Sequence, residues 1–191
     1  MPRNRDIALS RRAVLKVAAA GGVSLLVLQP GAAFGASGPS GEALTADVDS
    51  YLAATMRKGL TTLDGIHAEY REAASKFPFA LPSGWTFPAE SSLTNPLTSV
   101  SSADTEVLWE RGNGAAEVYL YWQSAVATEA YEAHLRGDSA QVERSLNQLE
   151  SGYSSPVRRA VLEDPNDGFL RIEVAAARGG DFKSLKSVAI D

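Results

Sequence analysis

The fold turns on one stretch, Glu106-Val-Leu-Trp-Glu-Arg-Gly-Asn-Gly-Ala-Ala-Glu-Val-Tyr-Leu-Tyr-Trp122. Read with period two, residues 105–122 make a β-hairpin closed by Gly112-Asn113-Gly114. Read with period 3.6, Ala115, Val118, Trp122, Ala125, Val126, Ala130 and Ala133 form one apolar stripe that runs to Gly137. The helical template accounts for more residues and needs no third strand to shelter a two-stranded ribbon. A helix over 113–136 is therefore expected, with a hairpin at 105–122 in an α+β fold as the alternative.

Working outward, local signals mark the neighbouring elements. Gly137 suits the left-handed position after a helix, and Asp138-Ser139-Ala140-Gln141 reads as a capping box that opens the next one. Ser155 before Pro156 is an N-cap followed by proline at the first helical position. Asp164-Pro165-Asn166-Asp167-Gly168 is a turn cluster, and 169–177 reads as a further helix stopped by Gly179-Gly180. Residues 183–190 add a final turn or two. On the other side, Leu44, Val48, Leu52, Met56, Leu60, Leu63, Ile66, Tyr70, Ala73 and Phe77 follow three- and four-residue steps, with Thr45 or Asp47 as its cap. This predicts a long helix over 44–77 with a kink or break at Gly59 or Gly65. Between the two long helices, residues 78–104 are rich in proline, serine and threonine. Phe79, Leu81, Trp85 and Phe87 make this a loop packed over the domain, expected as a strap, with a lid as the alternative. The fold class expected is mainly α, an irregular helical bundle with one long Pro/Ser-rich loop.

Composition narrows the chemistry. The 191 residues include no cysteine and two histidines, with a net charge of −5. Thiol catalysis, disulfide frameworks and thiolate metal sites are excluded. The acidic balance argues against a nucleic-acid partner. No P-loop, dinucleotide fingerprint, HExxH or Gly-x-Ser-x-Gly elbow occurs.

The N-terminus reads as an address. Ser10-Arg11-Arg12-Ala13-Val14-Leu15-Lys16 precedes a short apolar run from Val17 to Leu28 and the small residues Gly31 to Ser37. That run is too short to span a bilayer, which takes about 20 residues. A charged region, a short apolar region and a small-residue cleavage zone make a signal peptide. The seven residues resemble the twin-arginine (Tat) export signal, with Arg11, Arg12, Leu15 and Lys16 at its motif positions and Val14 in place of the usual phenylalanine. The resemblance implies translocation by the Tat machinery in a folded state. The organisation expected is a signal peptide over 1–35, a flexible linker over 36–43 and a single helical domain over 44–191. Losing the five basic residues and one acid of the leader takes the charge from −5 to −9. No transmembrane helix is expected after cleavage.

Gly112, Gly114, Tyr121, Trp122, Gln123, Tyr131, Leu135, Gly137 and Asp138 resemble a pattern in uncharacterised exported proteins of actinobacterial type. The resemblance implies a helical domain with an envelope role and brings no activity with it.

Several side chains are candidates for chemistry. His67 with Asp64, and His134 with Asp138, each put an imidazole and a carboxylate on one helix face, so two such helices could hold a metal. The Glu-x-x-His pairs of di-iron bundles are absent, and no cofactor is expected. Glu117 and Glu129, close in sequence to aromatics, are candidate acid–base groups with His67 or His134 nearby. Helix-face acids opposite an apolar stripe are equally what a solvated face looks like. Arg136-Gly137-Asp138 spells an adhesion tripeptide, better explained by capping. The leading expectation is an exported, non-enzymatic binding module of the cell envelope or medium, with Trp85, Trp109, Tyr121 and Trp122 as its contact points. The alternatives are a small extracytoplasmic hydrolase using a glutamate acid/base, and a carrier of an apolar small molecule.

Overall fold

The computed structural model describes residues 7–9, 41–94 and 107–190. Its central helix settles the first ambiguity. Asn113–Leu135 is one continuous helix, here α3, and is buried around most of its circumference. Six alanines, 115, 116, 125, 127, 130 and 133, lie in the interior along it. Short side chains let neighbours approach from several directions, as a helix at the centre of a bundle requires.

Two glycines mark the closest approaches. A Cβ on Gly114 would sit 2.6 Å from Tyr70 N and 2.8 Å from Ile66 O, so helix α2 (Leu63–Lys76) crosses α3 nearly backbone to backbone. A Cβ on Gly152 would meet the Trp122 ring at 2.1 Å, so helix α4 (Ser139–Tyr153) leaves space for the indole. Tyr70, Tyr119, Trp122, Leu146 and Leu149 join in the main core.

The period-two signal before α3 is also real, but its partner is distant in sequence. Strand β3 (Val107–Glu110) pairs antiparallel with β2 (Leu60–Thr61), Leu60 opposite Glu110 and Thr61 opposite Trp109. Gly112-Asn113-Gly114 is the strand-to-helix junction, with Gly112 at φ +96° and Asn113 Nδ2 donating to Glu110 O at 2.7 Å. The hairpin at 105–122 is thus corrected: its second arm is helical.

The long helix expected over 44–77 is divided. Helix α1 (Gly41–Thr55) ends before Gly59, whose φ of +101° a helix cannot hold. Thr62 then caps α2, accepting from Gly65 N at 3.2 Å. Because α1 begins at Gly41, Thr45 and Asp47 lie within it rather than capping it, and the last three residues assigned to the 36–43 linker are helical. The rest of that linker lies outside the described residues, as do the export-signal residues Arg11, Arg12, Leu15 and Lys16 and positions 95–104 of the loop. Of the leader, only Ile7–Leu9 is described, as a strand, β1, parallel to β3 with Ile7 opposite Val107.

Beyond α3, local signals placed the elements well. Asp138 accepts from Gln141 N at 2.9 Å and opens α4, and Ser155 with Pro156 opens α5 (Pro156–Val161). Asn166 and Asp167 adopt φ of +70° and +52°, a turn that asparagine and aspartate tolerate better than other side chains. The helix expected over 169–177 is π-helical over Leu170–Val174 before α6 (Ala175–Arg178), and α7 (Lys183–Ile190) closes against α3. The structure is mainly α with a small sheet. Among the described residues, no helix is long and apolar enough to cross a membrane.

Candidate functional site

The strap from Phe77 to Thr94 gathers three of the sequence candidates, Trp85, Glu117 and Tyr121, into one seam between α2 and α3. Its first part is core. Phe77 and Phe79 lie 6.1 and 5.2 Å from Trp122, ring centre to ring centre, and Trp122 Nε1 donates to Ala80 O at 3.1 Å. Its second part runs over the seam. Tyr121 Oη donates to Thr86 O at 2.8 Å, and Tyr70 Oη donates to Pro88 O at 3.1 Å. Between these two carbonyls, Phe87 inserts its ring between Phe77 and Tyr121, with centroids 5.5 and 5.6 Å away.

Glu117 closes the seam. Its Oε1 accepts from Ser92 N at 2.7 Å and from Ser92 Oγ at 2.6 Å, and its Oε2 accepts from Ser91 Oγ. Ser91 Oγ in turn accepts from Leu93 N at 3.1 Å, and Leu93 is buried with Ile66, Val107 and Trp109. A carboxylate with three donors is a clasp, and charge-assisted bonds of this kind are about twice as strong as neutral ones. Burial pushes the Tyr70 hydroxyl well above its ordinary pKa, with the Glu117 charge adding to the effect, so Tyr70 remains a proton donor.

The remaining candidates do not converge. His67 lies on α2 beside Ile66, at the N-terminal end of α3, whereas His134 is near its C-terminal end, about 30 Å away along a helix rising 1.5 Å per residue. His134 is exposed and stacks on Phe182 at 4.1 Å, with Lys186 and Tyr131 beside it. Asp64 and Asp138 are exposed on different helices, and Asp138 caps α4. Glu129 accepts from Arg136. The metal-bearing pair of helices is therefore not assembled. Among the described residues, no group of three or more metal-ligating side chains occurs. Neither histidine is among the hydrogen-bond partners of Glu117.

Two of the four aromatic contact points are interior. Trp122 is fully buried and Trp109 is 6% exposed, so neither offers a surface. Aromatic residues at helical spacing filled the core, as their buried area favours. Trp85 is half-buried and sits edge-on to Tyr121 at 6.1 Å.

Sequence reasoning missed Glu69. It is 6% exposed, and its Oε1 accepts from Ala115 N at 3.3 Å, so a carboxylate from α2 completes the N-terminus of α3. Nothing local announces that contact, which spans 46 residues. Arg158, which with Arg159, Arg171 and Arg178 reads in sequence as a basic concentration near helix ends or on a solvated face, is instead a buried guanidinium that donates to Tyr153 O at 3.1 Å and pairs with Asp167.

No protein-family model, curated protein or solved structure matches this chain.

Proposed function

We propose that this chain is an exported, non-enzymatic binding module of the cell envelope or medium, carried across the membrane by the Tat machinery. The twin-arginine motif and its short apolar run support the address. The observation that carries the binding role is the Trp85–Tyr121 pair. Trp85 on the strap and Tyr121 on α3 stand half-buried and edge-on to each other, and the Tyr121 hydroxyl fixes the strap's backbone at Thr86 O. Rigid, amphipathic aromatics at a surface contribute large contact area at low entropic cost. The engagement of Glu117 by three strap donors, neither histidine among them, favours this reading over the hydrolase.

Two measurements test it. Cell fractionation of the full chain should find the processed protein outside the cytoplasm, and the Arg11→Lys/Arg12→Lys pair should hold the precursor inside. Tryptophan fluorescence of the mature protein, titrated with soluble peptides and cell-wall glycan fragments, should quench saturably with one class. Trp85→Ala should weaken that binding about tenfold or more while leaving the circular-dichroism spectrum unchanged. Turnover of a probe, or binding that survives Trp85→Ala, overturns the reading.

A further inference from the structure

We propose that the α2–α3 seam is a peptide-binding groove closed in cis by residues 85–93, and that its ligand class is an extended, proline-bearing segment of another protein. The proposal rests on the binding-module reading and supplies its ligand.

The chemistry of the contacts carries it. The groove reads the strap largely through backbone: Tyr121 and Tyr70 donate to the carbonyls of Thr86 and Pro88, two residues apart. One side chain between them, Phe87, is the anchor. At the end of the segment, Glu117 takes an N–H and two hydroxyls. The side chains of Thr86, Pro88, Ala89 and Glu90 are exposed. Apart from Glu90, which pairs with Arg71 at the rim, these side chains are unread, and any segment with an aromatic anchor, free carbonyls and a serine-like end meets the same contacts. Aromatic hydroxyls that donate to the carbonyls of proline-containing extended chains are a recurrent way to recognise such peptides, because proline lowers the entropy of the extended form.

The strap is also divided where a movable cover would be. Gly84 at φ +84° and the turn from Pro82 O to Trp85 N separate the part packed on Trp122 from the part over the groove. Lifting the distal part leaves Phe77 and Phe79 in the core and withdraws Phe87 and Leu93 from their apolar contacts.

The test uses the mature chain carrying Ser91→Ala/Ser92→Pro, which removes all three donors to Glu117 from the strap side, and a synthetic peptide of residues 84–94 as probe. The variant should keep its helical spectrum and exchange the amides of residues 86–93 faster than wild type. Calorimetry should show it binding the peptide at least about tenfold more tightly than wild type, because a tethered competitor acts at an effective concentration of the order of millimolar. Adding Glu117→Gln should then weaken peptide binding about tenfold. Fast exchange without peptide binding overturns the proposal, as does equal affinity in wild type and variant. Unfolding of both this variant and Ser91→Ala alone would make the clasp part of the core and overturn the proposal too. Dimerisation of the variant without peptide binding would assign the groove to the strap of a second copy instead. Trp85-dependent quenching that persists while the peptide fails would sink the groove and leave the binding-module reading standing.

Discussion

Two irregular segments are tied to the helical core, and they are tied in opposite ways. Over the α2–α3 seam, helix side chains donate to the strap's carbonyls, and its outward side chains are largely unread. At the corner between α4 and the π-helical stretch, side chains read side chains. Asp164 accepts from the Tyr153 hydroxyl and from Phe169 N at 3.0 Å, while Arg158 pairs with Asp167 and lies over the Tyr153 ring at 4.6 Å. Asn166 and Asp167 hold left-handed backbone in the same turn. Backbone recognition tolerates a change of sequence; an ionic and aromatic lattice around a left-handed turn does not. The corner is a fastening, and the strap is a cover.

The largest expected effect tests the frame both segments share. Gly114→Ala places a methyl 2.6 Å from Tyr70 N, where the obstacle is backbone and cannot rotate away. Overpacking of this kind costs about 3 kcal/mol. A denaturant melt should show the midpoint falling accordingly, and strap amides should loosen with it because Tyr70 shifts. An unchanged midpoint would mean that α2 can retreat from α3, so that the groove has no fixed floor.

Next comes the corner. Arg158→Met removes a buried guanidinium, its bond to Tyr153 O and its cation–π contact, at an expected cost of about 2 kcal/mol in the same melt. Strap exchange should stay as in wild type, since the partners of Arg158 all lie in the corner, at Tyr153 and Asp167. Loosening of both segments together would erase the distinction between them.

How much of the molecule is legible in its sequence depends on distance along the chain. The stripe from Ala115 to Ala133, the Asp138 cap and the Ser155-Pro156 start are all local, and all are readable. The break at Gly59 is legible as an option, because glycine tolerates positive φ, but its purpose is not. It frees Leu60 and Thr61 to pair with Glu110 and Trp109, across about 50 residues. Trp122 reads both as part of the apolar stripe and as a contact point, because nothing nearby in sequence announces Gly152, the residue that makes space for it in the core. The clasp is half visible: Glu117 stands out as a carboxylate among aromatics, but its serine partners lie 25 and 26 residues earlier. The leader's expected role rests on its composition and on the twin-arginine resemblance of residues 10–16.

The corner also carries a pH signature. Burial pushes the Asp164 carboxyl up, but the Tyr153 hydroxyl, the amides of Phe169 and Gly168 and the Arg158 charge outweigh it, and its pKa falls below the ordinary 3.8. A carboxylate with a depressed folded pKa contributes stability that is present above the unfolded value and lost as pH falls through the folded one. Asp164→Asn should therefore cost about 1 kcal/mol at neutral pH. The gap from wild type should narrow in melts taken below about pH 4. A gap independent of pH would mean that Asp164 acts by shape alone, and the corner would lose its ionic character.

The smallest expected effect bears most directly on the cover. Arg71 and Glu90 meet at 2.7 Å at the strap's rim, with side chains 51% and 62% exposed. Exposed pairs contribute about 0–1 kcal/mol and are screened by salt. Arg71→Ala should leave the melting midpoint within about 0.5 kcal/mol of wild type. It should also leave amide exchange over residues 86–93 unchanged at both low and high salt. If it instead loosens the strap as much as Ser91→Ala/Ser92→Pro does, and added salt loosens wild type to the same degree, then surface charge holds the cover down. Glu117 would be incidental, and the strap would belong with the corner as an electrostatic fastening. A null result leaves the Glu117 clasp and the two tyrosine hydroxyls as the polar contacts over the groove that any incoming segment has to replace.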